Sequence, residues 1–451
     1  PTIYMAGAHD VYHEGALIFP AVKVQADYED IADIIRMCMM RIRVPEQWHG
    51  DYLAALGAAR IGERELLALD AEVGWPTLES FVERWFDYSE DRMVAALRRL
   101  PGGRTSACST HDLFPGTPPE GVPIRTTVTV DAEAARIEVD LRDNPDCLPC
   151  GLNLSEATAR TAAMSGVFNA IGASPPPNAG SFRRVKVRLR QGCVVGIPIH
   201  PTSCSLATTN IADRVSNATQ RAIAEHAEGF GMAEGGAVAT AADTVISGHD
   251  PRADDAPFVN HLTLTDTCGP ASPAEDGWLT MDSIGSGGQG YSDSIEVDES
   301  LYPIRIAERG LVVDSGGAGR FRGAPSSIIE YGPVNCTLTL ILNSDGEINP
   351  ALGARGGLKG GASRHYTRDA SGALTERARC GEVVLEPGET IVSISCAGGG
   401  YGPPSERDPA RVKRDVDEAY VSRAAAEAIY AVVLDAIATA ALRKDGAKSG
   451  K

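Results

Sequence analysis

The chain has 451 residues, 43% hydrophobic and 23% charged, with 60 acidic against 42 basic side chains and a net charge of −18. That length implies about two to four folding units, and the acidic balance excludes nucleic acid as a partner, because a phosphate-binding face needs clustered Lys and Arg. No run of about eighteen apolar residues occurs, which excludes a membrane-spanning helix and suits a cytoplasmic protein.

The opening segment, PTIYMAGAHDVYHEG, has no basic region and no long apolar stretch, so it does not read as a signal peptide. It lacks an initiating Met and enters in mid-pattern, as a fragment or processed product would. HDVYHEG (9–15) is its sharpest chemical feature. If helical, it puts His9 and His13 on one face, with Asp10 and Glu14 one turn apart beside them. Imidazole with carboxylate suits a divalent metal such as Zn or Mn. His9, Asp10 and His13 are the candidate ligands, and a further one must come from elsewhere. His13, Glu14 and Asp10 are also the candidate catalytic residues. The plainer reading is a polar loop with satisfied histidines. The zincin pattern is not met, because Asp10 stands where Glu is needed.

Residues 27–100 read as helical. DYEDIADIIRMCMMRIR runs from acids to bases, as the helix dipole favours, and Pro45 breaks it. In the next helix Leu53, Leu56, Arg60, Glu63 and Leu67 share one stripe. Two charges then lie in an apolar face, which points to an ion pair or to a charge at a subunit seam or site wall. A third helix covers roughly 77–99.

Residues 101–121 read as a turn-rich connector, and IRTTVTVDAEAARIEVDLRD as a β-hairpin. NLSEATARTAAMSGVFNAIG and NIADRVSNATQRAIAEHAEG read as helices. RRVKVRLRQGCVVGIPIHP, between them, reads as strands turning at Gln191–Gly192. Short strands with glycine-rich turns dominate 258–396. Two helices separated by YVS follow, the second capped by Ser422, and the tail is expected to fray. The whole reads as α+β: a helical part (1–100), a mixed part (101–257), a glycine-rich β part (258–400) and C-terminal helices (401–451).

Ten cysteines without a secretory signal suit reduced thiols, and Cys147 with Cys150 is the one CxxC. HPTSCS places Cys204 near His200 without any triad signature. STHD (109–112) and GHD (248–250) read as surface His–Asp pairs. No P-loop occurs. GSGGQG (285–290) and DSGGAGRFRG (314–323) do not open helices, so they read first as turns with positive φ or close backbone approach. The alternative is an anion site in which Gly316 and Gly317 supply N–H groups and Arg320 and Arg322 supply guanidinium groups. Arg60 is a further candidate for anion binding.

Three blocks, GDYLAALGAARIGERELL, LYPIRIAERGLVVDSGGAGRFRGAPSSIIEY and SCAGGGYGPPSERDPARVKRDVDEAYVSRAAAEAIYAVV, together resemble the hydantoinase B/oxoprolinase family in order and spacing, over nearly the whole chain. VYHEGALIFPAVKV is similar to a further family stretch, in which Glu14, Gly15 and Pro20 match and His13 is atypical. Ala419 stands where glycine is frequent.

The resemblance implies an enzyme subunit working beside a hydantoinase A-like subunit, which binds ATP on an actin/hexokinase-like fold. The implied reaction is ATP-dependent opening of hydantoin, 5-oxoproline or lactam rings. Ketone carboxylation of the acetone or acetophenone type is second, and a non-catalytic scaffold is third. ATP would then sit on the partner and not on this chain. The expected assembly is a dimerised heteromer. The resemblance also implies an upstream region rich in Asp, His and Gly; either this sequence is truncated ahead of it or a separate chain supplies it.

Overall fold

The computed structural model describes residues 6–15, 21–42, 44–172, 175–206, 209–238, 240–265, 267–288 and 290–433. Pro20 and the tail expected to fray lie outside them. The N-terminal elements are α1 (Val11–Glu14), the two-strand ribbon β1 (Gln25–Ala26) and β2 (Glu29–Asp30), α2 (Ala32–Arg41), α3 (Pro45–Val73) and α4 (Trp75–Leu97). Pro45 does mark a break. It sits in the first turn of α3, where its missing N–H costs nothing. Gly74, at φ 80°, is the whole connection between α3 and α4. The predicted stripe on α3 does not enter a core, since none of that helix's 29 residues is buried.

Next come β3 (Gly103–His111), β4 (Val122–Asp131), β5 (Arg136–Asp140), α5 (Glu156–Ala170), α6 (Ala179–Phe182), β6 (Val185–Arg188) and α7 (Asn210–His226). The sheet order is β3-β4-β5-β6, antiparallel except for the parallel pair β5/β6. The β4–β5 hairpin follows the alternation in its sequence. β3 corrects the reading of 101–121 as a connector. GRTSACSTH has no large apolar side chain to reveal its period, yet all nine residues pair with β4. Only 185–188 of the basic segment is strand. After it the chain makes isolated bridges such as Gln191 to Ile197. The first core gathers Ile124, Val128, Ile137 and Val139 from the sheet, Val167 from α5, Ile223 from α7 and Leu97 from α4.

The remaining elements are β7 (Asp243–Asp250), β8 (Ala256–Thr263), α8 (Ile295–Leu301), β9 (Ile304–Leu311), β10 (Ser327–Pro333), β11 (Leu338–Asn343), β12 (Arg364–Arg368), β13 (Leu374–Glu376), β14 (Cys380–Leu385), β15 (Thr390–Ile394), α9 (Pro409–Asp417) and α10 (Arg423–Ala428). They build two sheets, β14-β11-β7-β8 and β13-β12-β15-β10-β9. Both contribute to a second core, with Ile246, Leu262 and Leu340 from one and Ile329, Tyr331 and Ile391 from the other. The later strands therefore recruit the 240s. Ser422 caps α10 as expected, its Oγ accepting from Ala425 N at 3.1 Å. The fold is α+β.

Candidate functional site

HDVYHEG forms one helical turn. Asp10 is its N-cap, and Oδ1 accepts from Tyr12 N at 3.0 Å and His13 N at 2.9 Å. Gly15 ends the turn in the left-handed region at φ 69°. The His9 and His13 rings lie 5.1 Å apart. His9 Nδ1 donates to the Pro149 carbonyl at 3.1 Å, and its own N–H donates to His13 Nδ1 at 3.3 Å. Glu14 turns to the 203–204 loop, accepting from Ser203 Oγ and, at 3.1 Å, from Cys204 N.

Among the described residues no three His, Cys, Asp or Glu side chains are placed to hold a metal ion. Asp10 Oδ1 and Glu14 Oε1 already accept from N–H and O–H donors. A Zn or Mn ion on His9, Asp10 and His13 therefore does not fit this geometry. Burial, with the Glu14 charge beside it, pushes the Cys204 thiol up to about 11, and burial raises Cys147 and Cys150 as well. Such thiols are poor nucleophiles and metal ligands at neutral pH.

The 314–323 loop needs its glycines for close approach. A Cβ at Gly316 would stand 2.5 Å from the Gly323 carbonyl oxygen, and one at Gly317 would stand 2.5 Å from Gly400 N. The Gly317 N–H donates to Gly398 O at 2.9 Å, so this donor is not aimed at a ligand. Arg322 is buried. It donates to Gly323 O at 3.0 Å, meets Asp415 at 3.3 Å and lies 4.8 Å over the Tyr420 ring. Asp415 in turn binds the buried Arg407, which reaches Asp276 at 2.6 Å. Arg320 is the partly exposed member, 3.5 Å from Glu406.

Arg60 and Glu63 do not pair with each other; both hold Tyr28. Arg60 donates to Tyr28 O and to Gln25 Oε1, each at 3.1 Å, and its guanidinium lies 5.5 Å over the Tyr28 ring. The Tyr28 hydroxyl donates to Glu63 at 3.1 Å. The surrounding groove also carries Glu29 and Asp30, so its field does not favour an anion.

The structure brings together a different set of residues at the start of α7. A cleft of about 360 Å³ is lined by Thr209, Asp243, His261, Thr263, Asp282 and Tyr291, among others. Asp243 opens β7 and His261 lies on the neighbouring strand β8. His261 Nε2 stands 3.0 Å from Asp243 Oδ1, and this hydrogen bond raises the imidazole pKa above its ordinary value. An imidazole held by a carboxylate in a cleft is a proton-transfer device.

Behind the cleft lies a buried polar network. α7 buries fourteen of its seventeen residues, so its polar side chains need partners. Asn210 Nδ2 donates to His111 Nε2 at 3.1 Å and to Asn343 O at 2.9 Å. His111 Nδ1 donates to Asp112 O at 2.6 Å, which fixes the neutral tautomer. Burial lowers the His111 pKa accordingly. The Asp112 carboxylate accepts from Glu347 N at 2.7 Å, Ile348 N at 3.0 Å and Asn349 N at 2.8 Å. Burial pushes Asp345 up, but the Arg214 charge, the Arg214 hydrogen bond and the Asp112 N–H outweigh it and hold the carboxyl at about 2. Asp213 has weaker support, from Asn217 Nδ2 at 3.0 Å and Gly285 N at 3.3 Å, and burial raises it to about 7.

STHD (109–112) thus belongs to the interior, with His111 and Asp112 fully buried, and not to the surface. The available signal was the polar stripe Asn210, Asp213, Arg214, Asn217, Gln220 and Arg221, which recurs at helical spacing. His261 and Asp243 had no such signal, because strand pairing alone brings them together.

Comparison with known proteins agrees with this fold. The hydantoinase B/oxoprolinase profile matches residues 1–404. The caprolactamase subunit beta of Pseudomonas jessenii is 28% identical, over 96% of this chain and 74% of that protein. The acetophenone carboxylase delta subunit of Aromatoleum aromaticum is 22% identical, over 94% of this chain and 66% of that protein. The crystal structure of ATP-dependent caprolactamase from Pseudomonas jessenii matches with a TM-score of 0.84 at 24% identity, over 98% of this chain and 77% of that one, which shows a common fold. The chain belongs to the hydantoinase B/oxoprolinase family.

Proposed function

We propose that this chain is the B-type subunit of an ATP-dependent cyclic amide hydrolase, opening a lactam or hydantoin-type ring that an A-type partner has activated by phosphorylation. The observation that carries this reading is the 28% identity to a caprolactamase subunit beta over 96% of the chain. The cleft supports it. His261, oriented by Asp243, takes a proton from the water that attacks the activated carbonyl carbon. Thr209 and Thr263 line the same cleft, their hydroxyls donating to Asn210 Oδ1 at 2.9 Å and to Asp243 Oδ1 at 3.4 Å. In the N-terminal segment the other candidates are already engaged: Asp10 caps its own turn, Glu14 accepts from Cys204 N, and His13 Nδ1 accepts from His9 N. ATP belongs on the partner in this reading. Among the described residues neither glycine cluster opens directly into a helix: residues 291–294 separate GSGGQG from α8 and 314–323 leads into β10, and the Gly317 N–H is already bonded.

The test is ring opening by the chain alone and with its A-type partner, with and without ATP. Turnover is expected only with both added. Ring opening by the isolated chain without ATP overturns the proposal. A ketone carboxylase subunit is the second reading, favoured by the 22% identity to an acetophenone carboxylase delta subunit. Bicarbonate separates the two, since carboxylation consumes it as substrate and hydrolysis does not.

A further inference from the structure

Exposed apolar side chains are concentrated on this molecule. Among the described residues 29 large hydrophobics are exposed, and eleven of them lie between Leu53 and Tyr88, on α3 and the first part of α4. Single exposed apolar residues are ordinary, whereas several on one face of a helix mark an interaction site. On α4 the set is aromatic. Phe81, Trp85 and Tyr88 are 58%, 43% and 49% exposed, and their spacing of four and three puts them on one face. Their rings stack in sequence, with centroids 6.3 Å apart for Phe81–Trp85 and 5.4 Å for Trp85–Tyr88. On α3 Leu66, Leu69 and Val73 repeat at spacings of three and four and are likewise exposed.

This surface is held firmly from one end. α4 enters the first core only through its last turns, where Met93, Ala96 and Leu97 are buried. Glu90 is fixed there by Arg183 at 2.9 Å and Arg184 at 2.7 Å. The aromatic ladder therefore stands pre-ordered, which reduces the entropy a partner must overcome. Trp and Tyr on such a support are the residue types that dominate binding hot spots.

Charge selects the occupant. Residues 45–88 carry nine acidic side chains against three arginines, a net of −6. A second copy seated on this surface would double that charge at the contact and meet like-charge repulsion. A different chain presenting an apolar face rimmed by Lys and Arg meets attraction. We infer that α3 and the first part of α4 are the docking surface for the A-type partner subunit, which seats an apolar, Lys/Arg-rimmed face on the Phe81–Trp85–Tyr88 ladder. This rests on the two-subunit reading above and adds where the partner binds.

The test measures binding of this chain to the separately purified A-type subunit of the same genome, at about 50 mM and about 500 mM salt. The variants are Phe81→Glu with Trp85→Glu, Glu72→Lys with Glu79→Lys, and Leu374→Glu as a distant exposed control. Circular dichroism and the thermal midpoint verify folding, which exposed substitutions leave intact. The aromatic pair variant is expected to weaken binding by about 30-fold or more. The charge-reversal pair is expected to weaken it about tenfold at low salt and less at high salt. Leu374→Glu is expected to bind as the parent does.

Unchanged affinity in the aromatic variant overturns the docking surface and leaves the two-subunit reading standing. Absence of any binding by the unaltered chain removes both. Self-association of the lone chain that Phe81→Glu/Trp85→Glu abolishes assigns the surface to a second copy and overturns the inference.

Discussion

Arg214 Nε donates to Asp345 Oδ2 at 2.7 Å across 131 positions of sequence, with both side chains buried. The contact joins α7, which lines the first core, to the loop that follows β11 in the second. Removing one partner strands a charge in the interior. Asp345→Ala is expected to cost about 3–5 kcal/mol. The double change Arg214→Met with Asp345→Leu should cost clearly less than the single one, because no charge is left unpaired. Urea denaturation of both variants is the measurement. Equal costs would show that the pair is not what couples the two cores.

The same network sets a pH profile. Asp345 is depressed to about 2, so its contribution is complete above the unfolded carboxyl range and is lost as pH falls through about 2. His111 is also depressed, so below the ordinary histidine value the unfolded chain takes up a proton that the folded one refuses. Both effects lower stability on acidification. Asp213, raised to about 7, acts in the opposite sense. Its contribution is full below the unfolded value and is lost as pH rises through about 7. Asp213→Asn should remove that decline between about pH 4 and pH 7, read from urea midpoints across the range.

Glycine at 317 and arginine at 320 should separate packing from anion binding. A methyl group at Gly317 meets Gly400 N at 2.5 Å and Leu358 O at 2.6 Å, both backbone atoms that cannot swing aside. Gly317→Ala is expected to lower stability by about 1–3 kcal/mol or to prevent folding. Arg320→Ala, at the partly exposed position, should stay within about 1 kcal/mol. Thermal denaturation compares the two. A stable Gly317→Ala protein would reopen the loop as a ligand cradle.

Asp243→Asn is expected to return the His261 pKa toward its ordinary value, since the Asp243 hydrogen bond is the largest cause of its elevation. Imidazole proton shifts against pH report this directly. The raised value also means that His261 stabilises the fold below the ordinary histidine pKa and that this contribution is lost as pH rises through the folded pKa. In the proposed hydrolase complex His261→Gln should cut turnover by about 100-fold or more, with the pH–rate profile losing one limb. An unaltered profile would move the chemistry away from this cleft.

Metal content gives a further test. The geometry of His9, Asp10 and His13 does not assemble a metal site, so a His9→Ala/His13→Ala protein should carry as much Zn or Mn as its parent. Elemental analysis of the purified chain and of the complex decides it. Stoichiometric metal lost on substitution would return these residues to a ligand role.

Much of the architecture was legible along the chain. The three N-terminal helices, the Val122–Asp140 hairpin, α5, α7 and the Ser422 cap follow from period, dipole and capping chemistry, all of which act over a few residues. The family resemblance rested on the same kind of local record, the blocks around residues 50–67, 301–331 and 395–433. β3 was hidden because Gly103–His111 carries small and polar side chains, so its alternation had no apolar mark.

The sequence by itself determined most of the helices, the β4–β5 hairpin and the family resemblance. Each is written in neighbouring residues, so neighbouring residues suffice to read it. Only the tertiary structure decided what the polar groups do. It placed Asp112 under the 347–349 amides, set Arg214 against Asp345, turned Glu14 toward Ser203 and left the α3 stripe in water. Burial and pairing are relations between distant segments. A side chain's charge state and availability follow from the dielectric and the partners that the folded chain brings to it, not from its position in the list of residues.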